Sequence, residues 1–179
     1  MTASPTSGQT SESLGRALIK ESCRRLFDES HARIRQCVEL LSEDEIWYRP
    51  NAHTVSIGNW VLHLSGNIRQ WIVSGLGRAP DVRHRDDEFS EPGPISTVEL
   101  LAGLEATMRE AKAVLEAFDP NRLLAGITVQ GQQETGLTIL VHVVEHASYH
   151  TGQITYAVKS RKDLDLGYYA ATDLNAKNG

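Results

Sequence analysis

Apolar residues recur along this chain at steps of three and four in four long stretches. From about Ser11 to Leu41 they run Leu14, Leu18, Cys23, Phe27, Ile34, Val38 and Leu41, with charged residues on the opposite side. That periodicity predicts a long amphipathic helix. Ser42 followed by Glu45 is the pattern of a capping box, opening a short helical turn that Arg49–Pro50 closes. Ser56 is placed as the N-cap of a second helix whose apolar face is Ile57, Trp60, Val61, Leu64, Ile68, Trp71 and Ile72, with Gly75 and Gly77 at its end. Ser96 with Glu99 forms another capping-box pattern. It opens a third helix through Val98, Leu101, Leu104, Met108, Ala111, Leu115 and Phe118, stopped by Asp119–Pro120. A fourth helix is expected from about Thr138 to Ser160.

Between these stretches the pattern lapses. Residues 78–95 are charged, carry three prolines and show no period, so they are expected to form a long loop between the second and third helices. Residues 121–136 are rich in Gly and Gln, and Gly126–Gly131 is compatible with a small extended piece. Residues 1–10 are polar and read as a disordered tail. Residues 11–165 form a single domain, and 166–179 a polar C-terminal tail with Tyr168 and Tyr169 tucked onto the body. Four amphipathic helices with little strand signal predict an all-α four-helix bundle, in which sites are built from side chains on facing helices.

Composition narrows the partners. A chain of 179 residues with 40 % hydrophobic residues is long enough for one domain with a real core. The net charge of −5 argues against nucleic acid or an anionic membrane surface as the main partner. No apolar run is long enough to span a bilayer, and the first residues have no hydrophobic signal core, so a cytoplasmic location is expected. Cys23 and Cys37 are two heptads apart on one helical stripe, too far to bond each other, and read as reduced core residues.

The candidate chemistry lies in Leu140–Ile154, which places His142, His146 and His150 four residues apart. Residues i and i+4 share a helix face one turn apart, so two such imidazoles can reach one metal ion. His146 and His150 follow the buried row of Ile139, Val143, Ile154 and Ala157. His142 falls on a neighbouring row with Thr138, Tyr149 and Gln153, and is expected at the rim. On the second helix His63 shares a row with Trp60, Asn67 and Trp71. Taken alone it is an ordinary flank residue; two facing helices raise it to a third ligand. No fourth Cys or His stands at motif spacing. A three-histidine set leaves positions open for water or substrate, which marks a catalytic or ligand-binding site and not a structural one.

The order of these parts resembles the DinB-like family of metal-binding four-helix proteins. The residues that carry the likeness are His63 within NWVLHLSGNIRQW and His146 and His150 within EHASYHTGQI. LSEDEIWYRP, SIGNWVLHLSGNIRQWI and the R-x-x-E-F of Arg85, Glu88 and Phe89 resemble an uncharacterised subgroup of it, over about residues 15–160. The resemblance implies a divalent metal, zinc or nickel, on His63, His146 and His150, with His142 outside the set, and a homodimer.

It also implies a reaction class, since some relatives use a low-molecular-weight thiol (bacillithiol, mycothiol or glutathione) in transferase or isomerase chemistry on a small-molecule substrate. Asn67, Arg85 and Glu88 are the candidates for orienting that substrate. Metal-assisted hydrolysis is the alternative, with Glu145 or Glu88 as general base. Glu145 points about 100° from His146, and no glutamate stands between the paired histidines as in H-E-x-x-H. A non-catalytic metal-binding or ligand-binding bundle remains a third reading.

Overall fold

The structure is a computed structural model that describes residues 7–177. Helix α1 (Ser7–Cys23) continues through a π-helical stretch, Arg24–His31, into α2 (Ala32–Glu39), and helical dihedrals at Cys23 and Ala32 make the three one rod. This rod is the first expected helix. It begins at Ser7, inside the stretch read as a tail, and residues 1–6 of that tail lie outside the described residues. Helix α3 (Glu43–Trp47) is the short turn opened by the Ser42–Glu45 capping box.

Helix α4 (Ile57–Ile68) starts at Ser56, with Asn59 in the place of the usual Glu of the box, and runs on as π-helical turns over Arg69–Leu76. Helix α6 (Thr97–Ala117) begins at the Ser96–Glu99 box. Helix α7 (Gly136–Lys162) begins at Thr135 and ends at Asp163, whose φ of 47° is left-handed. Its last turn carries Lys159, Arg161 and Lys162, which complement the negative end of the helix dipole.

Two elements were not expected as such. The Gly/Gln-rich stretch forms an antiparallel hairpin of β1 (Gly126–Val129) and β2 (Gln132–Thr135), in register from Gly126–Thr135 to Val129–Gln132. Its two-residue turn has Gln130 and Gly131 at φ of 52° and 75°. Positive φ at both positions is the mirror-image turn that matches strand twist, and Gly131 adopts it without steric cost. The second is α5 (Arg85–Ser90), a short helix within the long 78–95 connection.

The rod, α4, α6 and α7 close around one core. Leu26, Ile34, Val38, Leu64, Ile68, Ile72, Leu104, Leu115, Ile139, Leu140 and Ile154 are essentially inaccessible to solvent. Cys37 is buried among them, whereas Cys23 is half-buried at the edge; both are free thiols, and burial pushes the Cys23 thiol up. Tyr168 packs against the body, its hydroxyl 3.3 Å from Cys37 Sγ and 3.0 Å from Thr155 Oγ1. Among the described residues no helix is long and apolar enough to cross a membrane. The feature that positions the site is α4, which lies between α6 and α7 and carries α5 against it.

Candidate metal centre

Asn59 secures the connection over α4. Fully buried at the first turn, it accepts hydrogen bonds from Ser56 N–H and Ser56 Oγ, while its own amide donates to the Glu88 and Glu91 carbonyls, both at 2.9 Å. Arg49 spans the same junction, donating to Asn59 Oδ1 at 2.9 Å and to the Phe89 carbonyl at 2.6 Å. These bonds use up backbone acceptors that a six-residue helix cannot satisfy internally. They also aim the Glu88 side chain at α4.

There Glu88 meets His63, its carboxylate 2.9 Å from His63 Nδ1. Arg83 grips the same carboxylate bidentately, Nε to Oε1 at 2.7 Å and Nη2 to Oε2 at 2.8 Å, and donates through Nη1 to Gln70 Oε1 at 2.8 Å. Gln70 in turn donates to Asp81. All three central side chains are buried: Arg83 is 5 %, His63 7 % and Glu88 10 % exposed. Burial pushes the Glu88 carboxyl up, but the hydrogen bonds from Arg83 and His63 outweigh it and hold it below the usual range. The carboxylate can only accept, so the His63 proton belongs on Nδ1 even though Arg83 Nη2 lies 3.2 Å from that nitrogen. Nε2 of His63 is left with its lone pair exposed.

The same arrangement recurs on α7. His150 Nδ1 donates to Gln153 Oε1 at 2.6 Å, one turn along the helix, which again leaves Nε2 bare. His146 completes the set, its Nε2 lying 3.1 Å from the Nε2 atoms of both His63 and His150. Three ring nitrogens thus converge within 4.8 Å of one another, and the two spacings to His146 are close to the roughly 3.3 Å between nitrogens on a tetrahedral ion. Buried His146 Nδ1 has no partner among the described residues. A proton on His146 Nε2 can serve only one of two facing lone pairs, whereas one cation satisfies all three. The donor set therefore fits a divalent metal, with outer partners that fix tautomer and ring orientation.

Burial also holds the His146 and His150 imidazoles neutral. Desolvation, helped by the other histidines and Arg83, lowers His146 to about 3; desolvation lowers His150 to about 4 against the opposing Gln153 bond. Neutral imidazole is the ligand form. Trp60 lies over the His150 ring at 4.4 Å and Phe89 beside the His63 ring at 4.7 Å, excluding water from two sides.

The remaining candidates fall around this centre. His142 stands at the rim, stacked on Trp71 at 3.8 Å, 3.4 Å from Asn67 Nδ2 and 5.5 Å from the His146 ring, and is not among the three converging histidines. Asn67 is buried beside it and does not reach the three histidines; its Oδ1 has no partner among the described residues. Arg85 is outside the centre as well, exposed and stacked over Phe89 at 4.8 Å, because the α5 turn carries it outward. Arg83, two residues earlier, takes the inward place. Nothing periodic marks Arg83 in the sequence. Gln153 had a signal, its i+3 spacing from His150. Glu145 is exposed, and its charge acts on His142.

A family model described as "Protein of unknown function (DUF1572)" matches residues 14–169. Among solved structures, the chain is similar to a DinB-like protein from Bacillus cereus, at 16 % identity over 78 % of this chain and 90 % of that one, with a TM-score of 0.62. It is also similar to the DinB-like protein YjoA of Bacillus subtilis, at 18 % identity over 86 % and 96 % of the two chains, with a TM-score of 0.63. Likeness at these identities concerns the fold. No curated protein is significantly similar to the chain.

Proposed function

The chain belongs to the DUF1572 family and has a DinB-like all-α fold, and from that premise we propose that it is a zinc- or nickel-dependent enzyme acting with a low-molecular-weight thiol. One observation carries the metal part: three imidazoles, His63 and His150 buried and His146 half-buried, bring their Nε2 atoms together while Glu88 and Gln153 hold the Nδ1 protons of two of them. When bound, a divalent cation on His63, His146 and His150 supplies Lewis acidity at an open position, where it lowers the pKa of a thiol or water.

The chain's own residues favour thiol over water. Hydrolysis needs a general base within reach of the attacking water. Glu88 is committed on both oxygens to Arg83 and His63, and Glu145 is exposed beside His142. A thiol ionised at the centre is itself the nucleophile, so no protein base is needed in the bond-forming step. His63, His146 and His150 bind. Glu88, Arg83 and Gln153 orient. Trp60 and Phe89 exclude water. A homodimer belongs to the same proposal, to be read from the mass in solution.

The test has two stages. Metal analysis of the purified chain is expected to give about one ion per chain, the number one three-histidine set can hold. The changes His63→Ala, His146→Ala and His150→Ala should each abolish it, and His142→Ala should not. Retention of metal by the His150 variant would remove the assignment. Titrating the cobalt-substituted chain with glutathione, bacillithiol and mycothiol should then give saturable absorption changes with at least one of them. With none, thiol chemistry is lost and a non-catalytic metal protein is left.

A further inference from the structure

The helical rows that hold the histidines do not end at them. On α4, Ile57, Trp60 and His63 succeed one another at steps of three. On α7, His146, His150, Gln153, Ala157 and Ser160 follow at steps of four and three, so each set lies along one helix face. The two helices run antiparallel here, since His63 meets His146 while Ile57 and Ala157 line a common cavity. Beyond the histidines the rows diverge around this cavity, of about 540 Å³, within the range of small-molecule sites. None of the three histidines lines it, but two of its walls touch His150. Trp60 lies over the His150 ring, and Gln153 holds the His150 proton.

Its chemistry is one-sided. The body is apolar, walled by Val55, Ile57, Ala157 and the Trp60 indole, and no acidic side chain lines it. Arg161 stands at the far end, half-buried, stacked over Tyr48 at 5.0 Å. It donates through Nη1 to the Glu45 carbonyl and is paired with no carboxylate among the described residues. Its remaining guanidinium donors are the only fixed charge in the lining.

We propose that this groove is the substrate subsite of the metal centre, taking an elongated apolar organic molecule with its carboxylate on Arg161 and its reacting end at the histidines. The inference rests on the metal reading for its reacting end, but the groove can be tested separately. Calorimetric titration of the metal-loaded chain with 4-phenylbutyrate should show saturable binding, at least tenfold tighter than 4-phenylbutylamine. Ala157→Trp fills the groove midway and should weaken the acid at least tenfold while metal content stays at the wild-type value. Arg161→Gln should abolish the preference for acid over amine.

Should Ala157→Trp fail to fold, Ser160→Trp, at an exposed position of the same wall, serves the same comparison. No saturable binding of the acid, equal binding of the amine, or wild-type affinity in the folded tryptophan variants would overturn the subsite. A chain that binds the acid in this Ala157-dependent way but takes up no metal keeps the groove and loses the metal centre. Metal uptake without acid binding does the reverse.

Discussion

Gly66 on α4 lacks a side chain where Glu88 needs the room. A Cβ there would lie 1.9 Å from Glu88 Oε1 and 2.8 Å from its carboxyl carbon. Arg83, whose Nε would lie 3.0 Å from the same Cβ, grips that carboxylate with two hydrogen bonds, so the Cβ would crowd both partners of the pair. Alanine is the better helix former by about 1 kcal/mol, so Gly66→Ala should leave the helix intact while pushing Glu88 off His63. Losing an outer partner of this kind costs about 10–100-fold in metal affinity, and competition with a chromophoric chelator should show a loss of that order. Unchanged affinity would remove Glu88 as a positioning residue. The buried imidazoles make a second prediction. His146 and His150 titrate near 3 and 4 in the metal-free fold, against 6.5 when solvated. The unfolded chain therefore binds more protons below 6.5, and the metal-free fold loses stability as pH falls from 6.5 towards 4. Its thermal midpoint should be lower at pH 5 than at pH 7, and the difference should shrink in His150→Ala. A flat profile would show that these rings are solvated. Of the residues involved, His146 and His150 were legible because helical spacing puts them on one face, and His63 only because a facing helix can supply a third ligand. Arg83 and Gly66 were not, since their roles depend on where the connection folds back onto α4.

At the scale of elements, what was legible is what is local. Ser42 with Glu45, Ser56, and Ser96 with Glu99 announce their helices because a cap is made within four residues, and all three caps form. Helix α5 is a different case. Asp86, Asp87 and Glu88 in its first turn suit a helix N-terminus, but six residues are too few to hold a helix alone. It exists because Asn59 and Arg49, distant in sequence, bind its backbone. The hairpin likewise rests on a distant partner: Trp71 Nε1 donates to Gln130 Oε1 at 3.2 Å. Asn59→Ala should therefore act on α5 more than on the bundle. It strips the Glu88 carbonyl of its Asn59 donor, at a cost on the order of 1–3 kcal/mol for an unsatisfied buried group, and leaves the Glu91 carbonyl with Arg49 alone at 3.3 Å. Amide hydrogen exchange over 85–91 should accelerate at least tenfold while the α7 core amides keep their protection. Equal acceleration in both would mean that α5 unfolds only with the whole domain.

For the whole molecule the periodicity gave the faces of the helices but not how far along each face another helix reaches. Leu14 and Val98 lie on predicted apolar faces and are 72 % and 77 % exposed, while their stripes are buried further along. The bundle closes elsewhere, and at its deep seam the histidines join α4 to α7 across 83 residues of chain. A cation held there binds the folded chain and finds no preformed set in the unfolded one, so its binding energy becomes folding energy. At free metal a thousandfold above Kd the gain is about 4 kcal/mol, which for a chain of this size raises the thermal midpoint on the order of 10 °C. Scanning calorimetry with and without a chelator should show that rise in the wild-type chain. His63→Ala should show none of it, because the change removes the α4 ligand and with it the bound ion that ties α4 to α7. His142→Ala should retain the rise, since that ring stacks on Trp71 outside the converging nitrogens. Equal midpoints with and without metal in the wild-type chain would mean that the three nitrogens, though convergent, hold no ion tightly enough to matter to the fold.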